Sequence, residues 1–96
     1  MFQALDSLLH SQLRLSIMSF LVNKQQSNFL EIKSVTRATS GNISVQLKKL
    51  EQAKYIKIKK GYKENYHHTK LAITKRGIKK FDSYAKEIRQ YLKVNN

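Results

Sequence analysis

The 96-residue chain has no cysteine, no proline and no tryptophan, and only three glycines, Gly41, Gly61 and Gly77. Without cysteine there is no disulfide framework, no thiolate metal site and no thiol nucleophile, and a reducing compartment is favoured. Without proline or a glycine-rich tract there is no linker, so element boundaries have to be read from hydrophobic periodicity and helix caps. No apolar run approaches the ~20 residues of a membrane span. Met1 to His10 has no basic stretch followed by an apolar core, so no secretory leader is expected and the expected location is the cytoplasm. Acidic residues are also scarce. Six of them face nineteen Lys and Arg, for a net charge of +13.

The positive charge is concentrated. Residues 1–32 are neutral on balance, whereas residues 33–80 carry fourteen bases and two acids, Glu51 and Glu64. A neutral end joined to a strongly basic middle suits a polyanionic partner. The 41% hydrophobic content is enough for a packed globule, and the length fits one domain spanning 1–96.

Helical spacing appears first. Ala4 to Leu9 reads as a short apolar turn or helix. Ser11 can cap a helix over Leu13 to about Asn23, in which Leu13, Ile17, Phe20 and Leu21 share one face while Leu15, Met18 and Val22 lie opposite. A helix apolar on both sides has to be covered on both sides. Lys24 to Asn28 reads as a polar connection, and Phe29 to Val35 as a two-turn helix. After a tight connection, Thr39 or Ser40 caps a third helix, with Ile43, Leu47 and Leu50 on its inner face, ending near Lys54. The period then drops to two: Ile56 and Ile58 alternate with Lys57 and Lys59, and Thr69, Leu71 and Ile73 form a return strand after a long basic loop. Thr74 can cap a last helix, from Lys75 to about Lys93.

Two helices joined by a short turn and followed by a hairpin make a winged helix-turn-helix. The expected fold is mainly α with a small β-hairpin, in the order α-α-α-β-β-α. The helix-turn-helix covers about 29–54, the wing about 55–73 and the C-terminal helix about 75–93. Major-groove reading needs short polar groups and an apolar group near the start of the second helix. Thr39, Ser40, Asn42, Ser44 and Val45 supply these, and Lys48 and Lys49 follow one turn later. Wing contacts to DNA are expected from Lys59, Lys60, Lys63, His67, His68 and Lys70.

Residues 39–56, T-S-G-N-I-S-V-Q-L-K-K-L-E-Q-A-K-Y-I, together with I-T-K-R-G at 73–77 and Leu13-Arg14-Leu15 with Ile17, resemble the MarR/ArsR-like class of small winged-helix transcriptional regulators. The resemblance covers roughly residues 5–85. It implies a DNA-binding regulator, most often a repressor. Two departures matter. The class often has glycine where Lys54 stands, and a left-handed lysine there costs about 1 kcal/mol. Its wing favours arginine, where this chain has lysine and histidine, which offer no bidentate fork.

The last helix carries Ile78, Phe81, Tyr84, Ala85, Ile88, Tyr91 and Leu92, a stripe wider than one small core requires. A homodimer interface is therefore expected from Phe81, Tyr84, Ile88, Tyr91 and Leu92, joined by Leu5, Leu8 and Leu9 and by Leu15, Met18 and Val22 of the first long helix. Two copies would present two reading helices to half-sites of a pseudo-palindromic operator. No cofactor and no metal site are expected, because His67 and His68 would point to opposite faces of a strand and His10 is remote from both. No glycine-rich phosphate loop or nucleophile–base set points to an enzyme. The class admits a small-molecule effector between its dimerising and DNA-binding parts, but no polar cluster identifies one. The same basic middle also fits a non-sequence-specific architectural DNA- or RNA-binding protein, or a module that meets an acidic protein.

Overall fold

Short polar side chains set the helix starts. Asn28 Oδ1 accepts from the Glu31 N–H at 2.8 Å, Thr39 Oγ1 from Asn42 at 3.2 Å and Thr74 Oγ1 from Gly77 at 2.9 Å. Each satisfies a backbone donor that the helix cannot. Ser11 holds the fourth N-cap position without a side-chain bond. The computed structural model describes Phe2 and residues 4–61 and 69–93. Its elements are α1 (Gln12–Lys24), β1 (Gln26–Asn28), α2 (Phe29–Thr36), α3 (Ser40–Gln52), β2 (Ile56–Lys59), β3 (Lys70–Ile73) and α4 (Lys75–Leu92). These are the helices and hairpin expected of a winged helix, with one strand more.

The extra strand corrects the reading of Lys24 to Asn28 as a connection. β1 pairs antiparallel with β3, Ser27 opposite Leu71, and the sheet order is β1-β3-β2. Three polar residues show no apolar alternation, and the pairing is made by backbone groups, which side-chain periodicity does not register. Ala4 to Leu9 is organised by a turn. Asp6 Oδ1 accepts from the N–H groups of Leu8 at 2.8 Å and Leu9 at 3.2 Å.

α1 is central and packs against α2, α3, α4 and β3. Ile17, Met18 and Leu21 are fully buried there, with Ile32 of α2, Ile43 and Leu50 of α3, Ile56 and Leu71 of the sheet, and Leu9. This placement corrects part of the expected dimer surface. Leu9, Met18 and Tyr84 are taken up by the core of a single chain and offer no free face to a second copy. Leu5, Leu8, Leu15 and Val22 are half-buried. On α4 only Gly77 and Tyr84 are buried; Phe81 and Ile88 are half-buried, and Ile78, Tyr91 and Leu92 are exposed. The ring of Phe2 stacks on Tyr91, with centroids 4.6 Å apart.

Tyr55, between α3 and β2, joins three parts of the chain. Its carbonyl accepts from Thr74 N and Thr74 Oγ1, both at 3.0 Å, and its hydroxyl donates to Asp6 Oδ2 at 2.6 Å. Burial and the neighbouring carboxylate push the Tyr55 phenol up to about 12. Gly77 lies against the same carbonyl: a Cβ there would sit 2.2 Å from Tyr55 O and 3.0 Å from Ile73 Cγ1. The glycine of I-T-K-R-G is thus required by close backbone approach. Lys54, just before Tyr55, has φ 65°, so the left-handed position exists and this chain fills it with lysine.

Two consequences are measurable by denaturation at fixed protein concentration. Gly77→Ala gains about 1 kcal/mol of helix propensity but meets a backbone carbonyl that cannot retreat, and overpacking costs about 1–3 kcal/mol. The expected result is a net loss of stability. Tyr55→Phe removes a hydrogen bond to a carboxylate, worth about 1.5–3 kcal/mol at neutral pH. Because the phenol is raised in the folded state, its contribution is complete below about pH 10, the unfolded value, and is lost as pH rises through about 12. The difference between the two proteins should therefore shrink only above about pH 10.

Candidate nucleic-acid interface

The turn between α2 and α3 is three residues long, Arg37 to Thr39. Arg37 closes α2 in the left-handed region, φ 58°, and its N–H returns to Lys33 O at 2.9 Å. The chain can then reverse into α3 at once. Ile43, Leu47 and Leu50 anchor α3 in the core, and the opposite side is left to solvent. Thr39, Asn42, Ser44, Val45, Lys48 and Lys49 are all exposed, and Ser40 is half-buried. Val45, 51% exposed, is the one branched apolar residue on that face. An exposed apolar group of this kind is what contact with a thymine methyl requires.

The structure brings this face beside the base of the hairpin. Ser44, Val45 and Lys48 of α3 line an open groove of about 630 Å³ with Ile58, Lys60 and Thr69 of the wing. Lys48 and Lys60 thus stand on one concavity, one from the helix and one from the strand end. Lys59 and Lys70 are directly opposed in the β2–β3 register, and both are exposed. Like charges facing each other across a strand pair are destabilising, and a polyanion laid over them relieves that repulsion. The remaining expected wing residues, Lys63, His67 and His68, lie outside the described residues.

Three further side chains bear on the α3 face. Lys33 of α2 donates from Nζ to Ser40 Oγ at 2.9 Å, which puts a cation at the start of α3. Arg14 of α1 donates from Nε to Leu8 O at 2.6 Å and from Nη1 to Gln46 Oε1. Gln46 in turn donates from Nε2 to Asn42 Oδ1 at 2.8 Å. The i, i+4 spacing of Asn42 and Gln46 is a signal present in the sequence. The arrival of Arg14 from another helix is not.

The same architecture is found among known proteins. A family model described as a winged helix DNA-binding domain matches residues 13–92. The chain belongs to the winged helix DNA-binding domain family. An uncharacterized protein of Methanocaldococcus jannaschii is 31% identical over 84 residues, which cover 88% of this chain and 91% of that protein. A transcriptional regulator homologue protein from Pyrococcus horikoshii OT3 superposes with a TM-score of 0.81 at 25% identity, covering 88% of this chain and 84% of the other. A mutant of MarR from E. coli, complexed with operator DNA, has the same fold, with a TM-score of 0.70 at 13% identity. There 82% of this chain aligns with 56% of the longer regulator. The winged helix drawn from residues 39–56 and 73–77 holds at the level of family, and the likeness to MarR at the level of fold. Among the described residues, no helix is long and apolar enough to cross a membrane.

Proposed function

We propose that the chain is a transcriptional regulator that binds duplex DNA sequence-specifically, as a homodimer on a pseudo-palindromic operator, and acts as a repressor in the cytoplasm. One observation carries the reading. α3 buries Ile43, Leu47 and Leu50 and turns Asn42, Ser44, Val45, Lys48 and Lys49 outward, beside the opposed Lys59 and Lys70. The short residues near the start of α3 are the readers, and the lysines hold phosphate. The MarR mutant complexed with operator DNA supports duplex DNA as the ligand. Repression follows the habit of the class that the sequence resembles.

Dimerisation is supported by α4. Ile78, Tyr91 and Leu92 are left at 43%, 44% and 71% exposure on one amphipathic helix. A second copy covering them would carry two α3 helices to half-sites about one DNA turn apart.

The deciding experiment is a selection from random duplex DNA at about physiological salt, with the bound pool sequenced. An enriched inverted repeat with half-site centres about ten base pairs apart is the expected result. Binding without enrichment replaces the reading with an architectural nucleic-acid binder, and no recovered DNA removes DNA as the ligand. Lys60→Ala should weaken cognate and random duplexes alike and reduce the slope of log K against log salt by about one; an unchanged slope takes Lys60 out of the contact. Leu92→Asp should raise the monomer fraction in sedimentation equilibrium and weaken operator binding, and a wild-type protein that is monomeric at all concentrations would end the dimer proposal.

A further inference from the structure

The Arg14–Gln46–Asn42 chain has a direction. A guanidinium has donors only. Arg14 gives one to Leu8 O and one to Gln46 Oε1, so the acceptor end of the Gln46 amide faces Arg14. The NH₂ end of Gln46 is then the end left for Asn42, and it meets Asn42 Oδ1 at 2.8 Å. Turning either amide over would set donor against donor or acceptor against acceptor. Asn42 commits its oxygen inward and leaves its NH₂ outward, on the exposed face of α3.

We propose that Arg14 and Gln46 are positioning residues that fix the polarity of Asn42, so that α3 presents a hydrogen-bond donor to the base edge at this position. The inference rests on α3 being the DNA reader and deepens that reading. In the major groove guanine presents two acceptors, thymine one and adenine one beside its amino donor, whereas cytosine presents only a donor. The operator column read by Asn42 therefore admits guanine, thymine or adenine, and cytosine is rejected. The selectivity originates in α1, in a residue that does not itself belong to the reading face.

The test is a parallel selection from random duplex DNA by the wild-type protein, Asn42→Ala, Gln46→Glu, Arg14→Lys and Arg14→Gln, with folding of each checked by circular dichroism. A carboxylate at position 46 only accepts, so in Gln46→Glu the Asn42 amide turns over and offers its oxygen outward. The expected result is one wild-type column depleted of cytosine, a preference that Asn42→Ala erases. Gln46→Glu should raise cytosine in that column by about tenfold at the expense of guanine and thymine, with the other columns unchanged. Arg14→Lys, still donor-only, should keep the column. Arg14→Gln, which can both donate and accept, should broaden it.

A column that Gln46→Glu leaves intact overturns the inference. So does an equal loss of affinity in both Arg14 variants with the column unchanged, which would make Arg14 a purely structural tie to Leu8. A wild-type motif indifferent to Asn42→Ala also refutes the positioning role while sparing the regulator reading. No enrichment by the wild-type protein removes sequence-specific reading itself, and the inference with it. The hydrogen bonds of the Gln46 side chain go to Arg14 and Asn42 and not to Leu8, so its variant keeps the Arg14–Leu8 tie and remains informative even where an Arg14 variant unfolds.

Discussion

The carbonyl of Tyr55 is the point on which the placement of α3 and α4 depends. It accepts twice from Thr74 and leaves no room for a side chain at Gly77. The end of α3 is thereby locked to the start of α4, across the gap that the hairpin spans in sequence. The phenol at the other end of the same residue reaches Asp6, whose second oxygen shapes the N-terminal turn. One residue thus ties together α3, the sheet, α4 and the N-terminal turn. Arg76 adds a further clasp, donating to Ala53 O at 3.1 Å and lying 5.7 Å from the Tyr55 ring centroid.

On that frame the charge is arranged against the stability of the free protein. Lys59 and Lys70 face each other across the sheet, and Lys48 and Lys60 border the same groove. Among the described residues, ion pairs form elsewhere, between Lys24 and Glu31 and between Lys86 and Asp82. In Glu31 the carboxyl is held below its ordinary range by hydrogen bonds from Lys24 and Ser27. Glu31 and Asp82 thus pair with bases away from the groove, and Glu51 is an acid that lines it beside Lys48 and Lys60.

Much of the fold is legible from particular residues. Thr39 and Thr74 announce their helices because a capping hydroxyl is a local device, and Ile43, Leu47 and Leu50 announce their face because burial of α3 is one-sided. β1 is not legible, since Gln26, Ser27 and Asn28 pair through backbone alone. The dual-faced apolar pattern of α1 suggests that Met18 is left for a second copy, yet the core of one chain covers it. The ambiguity is inherent, because periodicity shows that a face is apolar and not what lies against it. The exposed side of α3 is legible from helical spacing. The Arg14 connection is not, because it joins residues 32 positions apart through side-chain geometry.

Among the described residues, those at positive φ are Gln25 and Arg37, which cap α1 and α2, and Lys54, which follows the cap of α3, and none is a glycine. Glycine in those places would relax each junction and also open it to many other backbone basins. A side chain with a Cβ is strained there, but it has few alternatives nearby. The cost falls once, when the chain folds, and on the proposed DNA-binding reading the helix-turn-helix then meets its ligand with little conformational entropy left to lose. Stiffness at three helix ends is therefore a contribution to affinity made by residues that need never touch the ligand.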